Sequence, residues 1–183
     1  MKLTNEQIKE KEAEIKSLLG SVKRPGMNRV LQELENARFY TERPFTSRHH
    51  RYVGGLAEHS LGVYKIASRN GYGLPYDSIV IAALLHDVCK AHNLFPTLGT
   101  FGHGYRSVKI VEACELELTP QERRAIRWHM NNYPEKGTSE EKADFNLAHT
   151  EPLWQVVHKA DGQDVHEFHK REDAERQREE HRR

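Results

Sequence analysis

The sequence predicts an all-α fold. Apolar residues recur at three- and four-residue spacing in one segment after another, and helix-start signals stand ahead of them at Thr4–Gln7 and Thr119–Glu122. The run Ile79–Leu85 is apolar throughout, which reads as a helix buried on every side. At 183 residues the chain is long enough for one substantial core, and no second domain's worth of pattern remains.

The elements follow in order. Thr4 and Gln7 form a capping-box pattern before a helix whose apolar positions are Ile8, Ile15, Leu18 and Leu19. "KRPGMN" turns the chain, and the next helix carries Val30, Leu31, Leu34 and Phe39, so residues 1–44 read as N-terminal helices packed on or extending the core. The connection "TERPFTSRHHRYVGG" leads into a helix whose stripe of Leu56, Ser60, Val63, Ile66 and Ala67 includes His59. Asp77 is the expected N-cap of the buried helix that ends at His86-Asp87. A loop through "NLFPTLGTFGHG" precedes a helix expected over Val108–Glu117. Thr119 as N-cap, Pro120 at the first helical position and Glu122 reaching back then open the helix that presents His129. Residues 131–149 lack a sustained period and are expected to form a polar loop at the mouth of a site. Thr150 with Pro152 begins a long helix through Leu153, Trp154, Val156, Val157 and Ala160 that contains Asp161. From Lys170 onward the chain is mixed charge with almost nothing apolar, a solvated helix or frayed tail over 170–183.

Composition narrows the class. The formal net charge is only +1, so no global basic field announces nucleic acid; RNA is a possible but disfavoured partner. No apolar stretch is long enough to span a bilayer, and the N-terminus "MKLTNEQIKEKEAEIK" is charged where a signal peptide needs an apolar core, so the expectation is a cytoplasmic protein. Cys89 and Cys114 form no CxxC pattern and read as reduced core or boundary thiols. The first two helices could equally cap the core or build a homodimer interface.

The chemistry concentrates at His86-Asp87. Two metal-ligating side chains at the end of a buried apolar run have no packing reason to be there. Neighbouring helical positions point about 100° apart, so His86 can serve one ion while the Asp87 carboxylate bridges to a second. His59, His129 and Asp161 stand on apolar helical stripes, and His103 lies in the glycine-flanked turn "FGHGYRS", where the backbone can bend to face the imidazole inward. A single histidine on an apolar face is more often a hydrogen-bonded core residue than a ligand. A set of inward polar groups drawn from at least four segments, however, would stay unsatisfied unless something joined it. Nitrogen and oxygen ligands without thiolate suit one or two divalent ions: iron or manganese first, with zinc, nickel or magnesium as alternatives.

These motifs resemble those of the HD-domain metal-dependent phosphohydrolases. "EHSLGV" with His59, "LLHDVCK" with His86 and Asp87, and "KADGQD" with Asp161 match that family's pattern in order and setting. "GHGYRS" with His103 and "AIRWHM" with His129 match its two-metal branch, which has four histidine and two aspartate ligands. The resemblance covers roughly residues 45–165. It implies an HD-domain helical bundle over residues 45–169, with the metal site between central helices. It favours Asp161 over its neighbour Asp164 as the late carboxylate.

On that resemblance His59, His86, Asp87 and Asp161 would hold the first ion, and His103 and His129 with Asp87 the second. A divalent ion lowers the pKa of bound water from about 15.7 toward 7 and neutralises charge building on phosphoryl oxygens. The expected reaction is metal-dependent hydrolysis of a phosphoester or phosphoanhydride of a nucleotide or nucleotide-like small molecule, with Asp87 and Lys90 as catalytic residues. Lys90, one turn beyond the pair, and Arg106, three residues after His103, are candidates to hold phosphate, as a point charge and a bidentate fork respectively. In "SRHHRY", His50 and Arg51, with Arg48, His49 and Tyr52 beside them, could meet phosphate or base. His158, three residues before Asp161, could support the site from behind. The same ligand set also admits a di-iron oxygenase; the basic "HHRY" segment and the "GGLAEHSL" entry, which resembles exoribonuclease relatives, suggest an RNA 3′-end nuclease, and a non-catalytic nucleotide sensor is the third alternative.

Overall fold

A computed structural model describes residues 2–44, 47, 49–91 and 102–182. Among the described residues there are eight α-helices and no strand: α1 (Asn5–Ser21), α2 (Met27–Asn36), α3 (Gly55–Asn70), α4 (Tyr76–Leu85), α5 (His103–Ala113), α6 (Pro120–Trp128), α7 (Ser139–Thr150) and α8 (Pro152–Glu180). A single 3₁₀ turn, Val88–Lys90, follows α4. The all-α expectation is met.

Local chemistry explains where the helices begin. Thr4 and Gln7 make the reciprocal capping box ahead of α1, and Thr119 and Glu122 make another ahead of α6, with Pro120 at its first position. Asp77 does not cap α4: Pro75 holds the extended cap position, the helix starts at Tyr76, and Asp77 sits in its first turn. Phe39 lies beyond α2, because Arg38 adopts a left-handed φ of 56° that turns the chain and delivers the Phe39 ring to the core.

Two further boundaries differ from the expectation. His103 is the first residue of α5 rather than part of a preceding turn. Within 131–149, expected as loop, α7 starts behind a third capping box, Thr138 with Glu141, and buries Phe145 and Ala148. The "TSEE" start signal is present in the sequence, but two buried side chains in twelve residues are too few to give a visible apolar period.

One apolar core runs through the molecule. α3 packs on α8, α4 and α1, while α6 packs on α5, α8, α4 and α7. Residues from α1 and α2, among them Ile15, Leu19, Val30 and Leu34, belong to the same core as Leu56, Leu84 and Leu153. Burying each such side chain stabilises the fold by about 1.5–3 kcal/mol. Arg24, in the turn between α1 and α2, reaches α6 with a two-pronged contact to Glu122 at 2.7 and 2.8 Å, and Ser78 of α4 donates to the same carboxylate at 2.6 Å. The fully buried Glu122 thereby ties three elements together. Among the described residues no helix is long and apolar enough to cross a membrane.

Candidate metal centre

Five stretches of chain converge on Asp87: the middle of α3, the end of α4, the start of α5, the end of α6 and the middle of α8. α4 ends at Leu85, His86 caps it, and Asp87 precedes the 3₁₀ turn; across this change of backbone pitch the two adjacent side chains meet, His86 Nε2 lying 3.6 Å from Asp87 Oδ2. The turn is tied to α5 by the Cys89 backbone N–H donating to Ser107 Oγ (3.3 Å) and Cys89 Sγ donating to the His103 carbonyl (3.1 Å). Gly104 has no positive φ; its missing side chain matters for clearance, since a Cβ there would lie 2.3 Å from the Arg127 carbonyl oxygen. The glycine lets α5 meet the end of α6 closely enough to bring His103 beside His129.

All four imidazoles present Nε2 to the centre. His59 Nε2 is 3.2 Å from His86 Nε2, and His103 Nε2 is 2.9 Å from His129 Nε2. Asp87 stands between these pairs and divides its oxygens. Oδ2 lies 3.5 Å from His59 Nε2 and 3.6 Å from His86 Nε2, whereas Oδ1 lies 3.2 Å from His103 Nε2 and 3.4 Å from His129 Nε2. Asp161 Oδ1 lies 3.3 Å from His59 Nε2, completing the first group.

The opposite ring nitrogens are held from behind. His59 Nδ1 donates to Asp164 Oδ2 at 2.7 Å, His86 Nδ1 to the Ala83 carbonyl at 2.8 Å, and His129 Nδ1 to the Ile126 carbonyl at 2.7 Å. With Nδ1 carrying the proton, each ring in its neutral form turns a lone pair on Nε2 toward the centre, the tautomer a metal ligand needs. Two such lone pairs 3.2 Å apart, on His59 and His86, repel unless a proton or a metal ion joins them. Asp87 Oδ1 is buried and makes no hydrogen bond of acceptable geometry among the described residues. The donor set therefore fits divalent ions.

Electrostatics favour ionised Asp87 and Asp161 and neutral His86 and His103, whereas the carboxylates around His59 favour a positive charge there. Burial alone would push the Asp87 carboxyl up, but Lys90 and the surrounding imidazoles outweigh it and hold it well below its ordinary value. Asp161 is likewise held low, His59 outweighing its burial. Burial lowers His86 to about 3 and also lowers His103, so both stay neutral. For His59 burial works downward, and the carboxylates of Asp161, Asp164 and Asp87 overcome it to raise the value well above normal. Those three negative charges around one ring mark the place where positive charge is wanted.

The other sequence candidates fall at different depths. Lys90 is buried, with Nζ 2.6 Å from Asp87 Oδ2. Arg106 is half-buried on α5, one turn beyond His103, and its Nε lacks a hydrogen-bond partner among the described residues. His50 is fully buried, its ring 4.2 Å from that of Phe168 and its Nε2 3.6 Å from Asp164 Oδ2, so it backs the centre from within the core. Arg51 is exposed. Arg48 and His92 lie outside the described residues. His49 comes closer than expected, its ring 4.8 Å from that of His59.

Two supports were only glimpsed in the sequence. Asp164, weighed as a rival to Asp161, stands one turn further along α8 and grips the far side of His59. Gly62 makes this possible, because a Cβ there would fall 2.0 Å from Asp164 Oδ1. His158 donates from Nδ1 to the His129 carbonyl at 2.6 Å, linking α8 to the end of α6. Both lie one turn from Asp161, the spacing that puts side chains on one helical face.

Comparison with known families covers the same stretch of chain. A family model described as HD domain matches residues 56–182. The dihydroneopterin 2′,3′-cyclic phosphate phosphodiesterase of Methanocaldococcus jannaschii is 44% identical over 64 residues, which cover 30% of this chain and 26% of that protein. The chain thus matches only about a quarter of this relative's length. No solved structure matches.

Proposed function

The chain belongs to the HD-domain family, and from that premise we propose that it is a metal-dependent phosphohydrolase acting on a phosphoester of a nucleotide-like small molecule. The observation that most supports two ions is the division of Asp87, one oxygen toward His59 and His86 and the other toward His103 and His129. His59, His86, Asp87 and Asp161 would hold the first ion, and His103, His129 and Asp87 the second; iron or manganese suits such nitrogen and oxygen donors. Divalent ions held there supply a water of lowered pKa and neutralise charge on phosphoryl oxygens.

The protein's own residues shape what happens around them. Lys90 balances the oxygen of Asp87 that faces the first pair of histidines, which holds the carboxylate in its orientation. Arg106, one turn beyond His103 on α5, would offer a guanidinium cation to a phosphate oxygen. Asp164 and His158 fix the imidazole of His59 and the backbone of His129. The relative named for a cyclic phosphate of a pterin supports a small ring-bearing phosphodiester as substrate, as does a net charge of only +1.

The test is metal analysis of protein purified without chelator, together with hydrolysis of 2′,3′-cyclic nucleotides and phosphomonoesters under added manganese or iron(II). Two ions per chain with turnover of a phosphoester is the expected result. Fully loaded protein that turns over no phosphoester would overturn the proposal, and oxygen consumption by a two-iron form would replace it with an oxygenase.

A further inference from the structure

Beside the metal centre a cavity of about 700 Å³ opens between the start of α5, the end of α6 and residues 132–137. His103 is common to both: its Nε2 lies 3.2 Å from Asp87 Oδ1, and the residue lines the cavity. Such a volume suits one small organic molecule. The lining is unusual for a surface. Met130 and Tyr133 are 44% and 49% exposed, and both stand in this one hollow. Apolar side chains gathered at a concavity next to polar chemistry mark the part of a pocket that takes an apolar or aromatic group.

The aromatic wall is also braced. The Tyr133 ring stands edge-on to Phe145 at 5.3 Å, and Phe145, buried, stands edge-on to Trp128 at the same distance. This herringbone holds Tyr133 in place before anything binds, so little ordering cost remains. The cations nearby differ in availability. Arg127 is committed to the wall, packed over Trp128 at 4.4 Å and ion-paired with Glu141 at 2.5 Å. Lys136 is exposed at the rim.

We propose that this cavity seats the flat heteroaromatic ring of the substrate against Tyr133 and Met130, while the phosphate of the same molecule reaches the metal centre past His103. This rests on the phosphohydrolase reading above and adds to it an orientation and two specificity-determining residues. Ring stacking on an aromatic side chain is worth about tenfold or more in affinity.

The experiment uses the full chain loaded with manganese and compares kcat/KM for 2′,3′-cyclic GMP with that for glycerol 1,2-cyclic phosphate, which lacks a ring. The expected preference for the ring-bearing substrate is at least tenfold, carried by KM. It should fall toward unity in Tyr133→Ala and Met130→Ala and persist in Tyr133→Phe. A wild-type ratio near one, or a ratio that survives Tyr133→Ala, overturns the ring site while leaving the hydrolase intact. Tryptophan fluorescence with guanosine, which carries no phosphate, separates the other failure. Quenching that disappears in Tyr133→Ala, without hydrolysis of any phosphoester, keeps the ring site and removes the hydrolase reading.

Discussion

Asp164 grips His59 from behind, and Gly62 leaves the space for it. Replacing Asp164 with Asn weakens that hold without removing a proposed ligand, so metal affinity should fall about 10–100-fold while helix content stays. Competition with a fluorescent chelator measures this, and unchanged affinity would show that His59 needs no such support. Gly62→Ala should act in the same direction by displacing Asp164 Oδ1. Asp87→Ala should abolish binding of both ions and all turnover together, with circular dichroism near wild type; a variant that kept one tightly held ion would contradict the shared carboxylate. Much of this arrangement was legible in the sequence, because His86 and Asp87 interrupt an apolar run that packing alone would have continued. Asp164 was harder to place, since two carboxylates one turn apart share a face and only the packing against Gly62 separates their jobs.

At the scale of elements, the joint between the N-terminal helices and α6 is ionic. Burial raises the Glu122 carboxyl, but hydrogen bonds from Arg24, Ser78 and the Thr119 backbone outweigh it and hold the group below its ordinary value of 4.5. A depressed folded-state value means the contribution is complete above pH 4.5 and fades as pH falls through the folded value. Glu122→Gln should therefore flatten the acid limb of the stability curve, read by urea melts from pH 6 to pH 3. Arg24→Met should cost about 3 kcal/mol at neutral pH, because it strands a buried carboxylate. A loss under 0.5 kcal/mol would mean that Ser78 and the backbone satisfy Glu122 alone. Helices with continuous apolar stripes, such as α3, could be read from periodicity; α7 could not, since its sequence signal is a cap and its burial is slight.

Across the whole molecule the candidate ligands span His59 to Asp161, so the centre draws together most of the apolar core. Ions that bind only the folded chain stabilise it by about 2.7 kcal/mol at a hundredfold excess over Kd, about 5–10 °C in melting temperature for a chain of this size. Chelation should reverse that shift, and a melting curve indifferent to chelator would argue against ion binding. The joining of distant stretches at Asp87 also has a practical side. Heat, applied across a series of free manganese concentrations, turns unfolding into a titration of the centre, and affinities for wild type and each variant follow without knowing what the protein cleaves.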